Sequence, residues 1–166
     1  MNTQKTVLTG LMVALVCICT MVIQIPIAGT GGYVNIGDSM IFISSIFLGP
    51  INGMIAGGIG SAMADVFSGY SQWALFTLFI KGFEGFIVGM IMKNSFSIMK
   101  AFIATFAGTC TMVVGYLLAG VILYGSFAAS ITSVPSNFIQ GIICMIISIL
   151  FSYVLVQNKA IKNLVK

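Results

Sequence analysis

The sequence contains no histidine and no arginine, and only three acidic residues in 166. Charged side chains make up 6% of it, where a water-soluble domain carries about 25%. Each absence closes a class of chemistry. Without histidine there is no Ser-His-Asp triad, no histidine-ligated zinc and no haem held by histidine. Without arginine there is no bidentate guanidinium clamp for phosphate or carboxylate. The P-loop pattern G-x-x-x-x-G-K-[ST] is also missing. Cys17, Cys19, Cys110 and Cys144 lack C-x-x-C spacing and lie in apolar runs, where they read as small buried hydrophobes. No catalytic residue, metal ligand or cofactor is expected. Apolar residues make up 59% of the chain, more than so few charges can clothe in water, so the sequence reads as an integral membrane protein.

Six of the seven lysines, Lys5, Lys93, Lys100, Lys159, Lys162 and Lys166, stand at the edges of apolar blocks. Lysines at span ends mark the cytoplasmic side. If the six share one side, each block between them holds an even number of spans. At roughly 20 residues per span, residues 6–92 hold four and 101–158 hold two. The expected fold is an all-α membrane protein, with residues 1–166 forming a single domain. It is a bundle of six transmembrane helices with N- and C-termini cytoplasmic. The run 7–27, behind Lys5, is too long for the apolar region of an ordinary signal peptide and reads as a retained first helix.

Turn chemistry places the breaks. Pro26 with Gly29, Gly31 and Gly32 ends the first helix outside. The second runs from Asp38 to Leu48, and 49–53 turn inside. The third ends at Phe67 and 68–71 turn outside. The fourth covers 72–92, the fifth 101–123, and the sixth starts near Asn137, after Pro135 and an outer loop over 124–136. The second and third helices are too short to cross a hydrocarbon core of about 30 Å. Either they extend past these breaks or their neighbours shelter them. Gly49, Gly53, Gly57, Ser61 and Asp65 recur every four residues, beside a row of Ala56, Gly60 and Ala64, a spacing that lets helix backbones approach closely. Gly10 and Ala14 make a shorter row on the first helix.

Asp38, Asp65, Lys81 and Glu84 stand apart from the inner lysine fringe. Each is costly in lipid and normally finds a partner inside the bundle. Lys81 and Glu84 are three apart and share a helix face, and Asp65 is placed to reach Lys81. They make either a structural cluster joining the third and fourth helices or a ligand or ion site. Asp38 follows Gly37 at a helix start, where a carboxylate caps. The two aspartates also raise an intramembrane aspartyl protease, but Asn35 stands where that family's motif has glycine. The outer helix ends gather Tyr33, Tyr70, Trp73, Tyr124, Phe127 and Phe138. With them lie Asn35, Asp38, Gln72, Asn137 and Gln140. The rings alone make an interfacial belt. Rings beside inward amides and a carboxylate suit a small planar heteroaromatic ligand.

The ordered runs Gly32-Tyr33-Val34-Asn35-Ile36-Gly37-Asp38, Phe47-Leu48-Gly49-Pro50, Gly57-Gly58-Ile59-Gly60-Ser61-Ala62 with Asp65, Ser68-Gly69-Tyr70, Lys81-Gly82-Phe83-Glu84-Gly85 and Asn137-Phe138-Ile139-Gln140-Gly141 carry a family resemblance. The chain resembles an S component, the substrate-binding membrane subunit of an energy-coupling-factor (ECF) vitamin transporter, of the riboflavin-transporter-like group. The resemblance implies a non-enzymatic subunit of a prokaryotic plasma membrane. It would capture a vitamin or precursor outside and deliver it through a transmembrane coupling subunit served by two ATP-binding cassette ATPases. Substrate binding would fall to Tyr33, Asn35, Asp38, Tyr70, Trp73, Lys81, Glu84, Asn137 and Gln140. Docking would fall to Gly10 and Ala14, where the family has an Ala-x-x-x-Ala pair. Ligands in the group include riboflavin, pyridoxine-type B6 vitamers and hydroxymethylpyrimidine. The compact chain, short outer loops and missing arginine favour a small unphosphorylated pyridine or pyrimidine alcohol. The alternative is a standalone ion-coupled carrier that uses Asp65, Lys81 and Glu84 as a relay.

Overall fold

The computed structural model describes residues 3–27, 32–93 and 96–157. The expectations for Gly29, Gly31, Lys159, Lys162 and Lys166 lie outside the described residues. In chain order the elements are α1 (Thr3–Val22), β1 (Gln24–Ile27), β2 (Gly32–Asn35), α2 (Gly37–Leu48), α3 (Pro50–Phe67), α4 (Ser71–Met92), α5 (Ile98–Tyr124), α6 (Phe127–Ile131) and α7 (Val134–Val156). Six of the helices among these, all but the five-residue α6, have 12 residues or more. Four stretches are long and apolar enough to cross a membrane: Thr3–Val22, Ser71–Met92, Ile98–Tyr124 and Phe127–Val156.

Several boundaries differ from expectation, and the turn expected over 49–53 is reduced to Gly49 because α3 begins at Pro50. The first helix stops at Val22 instead of continuing to residue 27. β1 and β2 pair antiparallel, with Pro26 opposite Tyr33 and Gln24 opposite Asn35, so the bundle is not purely helical. Proline is tolerated there because a two-stranded ribbon has only edge strands. The stretch 124–136 is not a plain loop. Gly125, at φ +63°, caps α5 in the left-handed region that favours glycine. Ser126 then caps the short α6 by accepting from the Ala129 amide at 3.3 Å. α7 starts at Val134, so Pro135 sits inside its first turn, where a missing N–H costs nothing. At the opposite end α5 begins at Ile98, which puts Lys100 in its first turn; Lys100 Nζ donates to the Lys93 carbonyl at 2.7 Å.

The short second helix is sheltered by its neighbours. α2 has 12 residues, and all but Met40 are buried; at 1.5 Å per residue it is about 18 Å long. It packs against α1, α3, α4 and α7. Gly49 makes the turn into α3 with φ +86°, and its N–H reaches the Ser45 carbonyl at 3.1 Å. The small-residue rows of α3 bring it against two neighbours. A Cβ on Gly57 would lie 2.6 Å from the Lys81 carbonyl oxygen of α4, and one on Gly60 would lie 2.7 Å from the Val13 carbonyl oxygen of α1. Two apolar clusters flank the buried charges of α4. One holds Phe42, Phe47, Val88, Met92 and Met145. The other holds Trp73, Ile80, Met112 and Val113.

Gly57→Val is therefore expected to lower the unfolding temperature of the detergent-purified protein, with an overpacking cost of about 1–3 kcal/mol or more. Gly10→Ala, whose Cβ meets nothing within 4 Å, should leave that temperature unchanged or slightly raised. Equal loss in both would contradict the α3–α4 contact.

Candidate functional site

The hairpin lies at the end of the bundle where α3 stops, α4 starts and α5 gives way to α6 and α7. Gln24 Nε2 donates to Ser68 Oγ at 2.8 Å, and the Tyr33 and Tyr70 rings are 4.6 Å apart. Beneath the hairpin is a narrow cavity of about 40 Å³, well below the roughly 300–1,000 Å³ of an open small-molecule site. Its walls are aromatic: Tyr33, Trp73, Tyr116 and Tyr124 line it. Trp73 meets Tyr116 edge-on at 5.8 Å and Tyr124 at 5.9 Å. Trp73 is buried, not part of an interfacial belt.

A buried ion cluster forms the floor. Lys81 Nζ donates to Asp38 Oδ1 and lies 3.1 Å from Glu84 Oε2. The same ammonium stands 5.5 Å from the centre of the Tyr116 ring, a cation–π distance. Asp38 Oδ2 accepts from Gln140 Nε2 at 2.7 Å. Gln140 Oε1 accepts from the Asn35 amide at 2.7 Å, and Asn35 Oδ1 accepts from the Gly37 amide at 2.8 Å. One polar chain thus runs from β2 through α7 and α2 to α4. Each member meets a complementary group, as burial requires.

Two local expectations are corrected here. Asp38 does not cap α2: it lies inside the first turn, the N-cap position is Ile36, and the amide of Gly37 is met by Asn35 Oδ1. Its carboxylate is drawn to a cation and an amide on other helices, because a buried charge gains more there than at a backbone N–H. Asp65 is not the partner of Lys81. Its Oδ1 accepts from the Tyr33 hydroxyl at 2.6 Å, which ties the hairpin to α3. Burial first, and then the Asp65 carboxylate, push the Tyr33 phenol well above the usual tyrosine range, so it stays a proton donor.

Of the nine expected substrate-site residues, Tyr33, Asn35, Trp73, Lys81, Asn137 and Gln140 line the cavity. Asp38 and Glu84 stand behind Lys81, and Tyr70 stands behind Tyr33. Thr20, Asp65, Thr77 and Tyr116 line it too. The sequence reading left Thr20, Thr77 and Tyr116 out, and their only sequence signal was a polar atom within an apolar run. Thr77 Oγ1 and the Tyr116 hydroxyl are 3.1 Å apart and share a hydrogen bond. Gly10 and Ala14 are not near this site. Both are exposed, on a face of α1 with Val7, Leu11 and Ile18.

A multi-pass membrane bundle with a ring-walled, amide-bearing cavity at one end has the form of a small-solute binding subunit. The family model of the ECF-type riboflavin transporter S component matches residues 1–157, and the chain belongs to that family. It is a family of transporter components of the cell membrane, not of enzymes. The chain is 41% identical over 140 residues to an uncharacterized protein of Pyrococcus woesei, covering 84% of this chain and 93% of that one. It is 24% identical over 163 residues to the thiamine precursor transporter HmpT of Lactococcus lactis subsp. cremoris (strain MG1363), covering 98% and 93%.

Lys81→Met is expected to destabilise the protein by about 3–5 kcal/mol, since it leaves the Asp38 and Glu84 carboxylates buried without their cation. Adding Glu84→Gln should recover part of that loss. Denaturant titration of the single and double variants checks both, and a single variant as stable as wild type would refute the ion cluster.

Proposed function

We propose that the chain captures a small, unphosphorylated heteroaromatic alcohol, a hydroxymethylpyrimidine or pyridoxine-type compound, on the outer side of the membrane. It hands this ligand to an ECF module made of a transmembrane coupling subunit and two ATP-binding cassette ATPases. Both termini are cytoplasmic in this reading, and the chain acts as one domain. The observation that carries it is the cavity itself, with stacking rings on its walls and the Asn137 and Gln140 amides beside them. The thiamine precursor relative favours the pyrimidine. Charge favours an unphosphorylated ligand: Lys81, the one buried lysine among the described residues, is already held by two carboxylates. Tyr33, Asn35, Trp73, Asn137 and Gln140 contact the ligand. Asp38, Lys81 and Glu84 fix the floor, and Tyr70 supports Tyr33. The open Gly10–Ala14 face of α1 docks on the coupling subunit, where small residues permit close helix approach.

Mass spectrometry of small molecules released from the purified chain, followed by calorimetric titration, tests the reading. A bound pyrimidine or pyridine alcohol supports it. Riboflavin alone would overturn the ligand, and no B-group compound at all would overturn the binding role. Uptake by this chain alone in liposomes, driven by a proton or sodium gradient, would replace the subunit by a standalone carrier. Asn137→Ala or Gln140→Ala should weaken binding by about 1–3 kcal/mol through loss of a buried hydrogen-bond partner. Gly10→Leu and Ala14→Leu should leave ligand titrations unchanged and reduce co-purification with the coupling subunit. Loss of ligand binding in these two folded variants would break that division of labour.

A further inference from the structure

A recess of a different kind lies between α4 and α5. It is a groove of about 590 Å³, open along one side and lined by Phe79, Phe83 and Ile87 of α4 and by Cys110, Thr111 and Val114 of α5. Bulky side chains on one helix face shorter ones on the other, which leaves the gap. Phe79 and Phe83 are each 58% exposed, so nothing among the described residues covers them. A lysine stands at the foot of each wall. Residues three and four apart share a helix face. On α4 that row runs from Phe83 through Ile87 and Met90 to Lys93, and on α5 it runs from Val114 through Cys110, Ala107 and Ile103 to Lys100. Lys100 Nζ donates to the Lys93 carbonyl at 2.7 Å, which holds the two residues at one corner. A carbonyl cancels no charge. The three acidic side chains of the sequence, Asp38, Asp65 and Glu84, are all buried within the bundle, so the side chains at this end contribute charge of one sign only. Lys100 also sits in the first turn of α5, where the helix dipole disfavours a cation. An anion at this corner offsets both costs.

We propose that this groove binds one anionic phospholipid, with its phosphate on Lys93 and Lys100 and an acyl chain lying between α4 and α5. The depths agree. Ile87 and Phe83 stand about 9 and 15 Å along α4 from Lys93, and Cys110 stands about 15 Å along α5 from Lys100. One leaflet's share of a hydrocarbon core of about 30 Å is about 15 Å, so a chain anchored at the lysines reaches the groove. The lysine stems lie along apolar surface while their heads stay at the level of the phosphates. The site lies at the end of the bundle away from the hairpin and shares no charged group with the cavity.

Native mass spectrometry of the full chain in a neutral detergent, titrated with dioleoylphosphatidylglycerol or dioleoylphosphatidylcholine, tests this. Wild type is expected to hold one phosphatidylglycerol roughly ten- to thirtyfold more tightly than phosphatidylcholine, at about fivefold for each lysine near an anionic headgroup. Lys93→Gln combined with Lys100→Gln should bring that ratio to within about threefold. Lys5→Gln, which removes a lysine from the same end of the bundle but not from the groove, should leave it unchanged. Cys110→Trp, which fills the groove, should weaken both lipids, and it keeps the test decisive if the double lysine variant fails to fold. Equal wild-type affinity for the two lipids overturns the site, as does failure to retain either. An equal loss of preference in Lys5→Gln and in the double variant also overturns it, because the attraction would then be diffuse. Unchanged lipid retention in folded Cys110→Trp removes the groove from the site and overturns the proposal as well.

Discussion

The placement of one ammonium group governs the rest of the molecule. Lys81 is 1% exposed, and an unpaired charge at that depth in a bilayer protein would cost several kcal/mol. Its partners come from two helices: Asp38 from α2 and Glu84 from its own helix α4. Asp38 can serve only if α2 lies at the centre of the bundle. That explains why so short a helix is enclosed on nearly every side while the longer ones face lipid. The pairing also sets register, since a turn's displacement of α2 along α4 would strand both charges.

The close approach of backbones makes this geometry reachable. Gly57 leaves no side chain between α3 and the Lys81 carbonyl, and Gly85 does the same where α4 meets the Gly53 backbone. In lipid, helix association draws little from apolar burial, so dispersion between closely packed backbones carries more of the load. The glycines of α3 and α4 and the charges of α2 and α4 are therefore parts of one solution. Polar pairing specifies which helices meet, and small residues let them meet tightly enough to exclude water.

The helices were legible because apolar length and turn residues are local signals. Residues 72–92 were expected as the fourth helix, and Ser71–Met92 is the helix observed. The parity of the lysines pointed to the second and third helices despite their length. The hairpin was not legible. Residues 23–27 continue the apolar run of α1, and composition does not record the change from a helical to a strand period. Asp38 was misread for a related reason. A cap is a local inference, whereas its true partner Lys81 lies 43 positions away. The aromatic and amide residues of the cavity were legible as a group because they cluster at helix ends. Thr20 and Thr77 were not, since a threonine in a membrane helix ordinarily satisfies its own backbone, as Thr9, Thr105 and Thr111 do here.

The hydrogen-bond chain from Asn35 through Gln140 and Asp38 to Lys81 joins the hairpin to the bundle axis. Gln140 uses its amide in both directions, accepting from β2 and donating to α2. It therefore cannot rotate to meet a new partner without releasing one of these two groups. Asn137, one helical turn earlier on α7, carries no such obligation and presents its amide to the same cavity. The two amides on one helix face thus differ in freedom: Gln140 is fixed by the architecture and has only its second N–H and second lone pair left for a ligand, while Asn137 can turn its whole amide toward what enters.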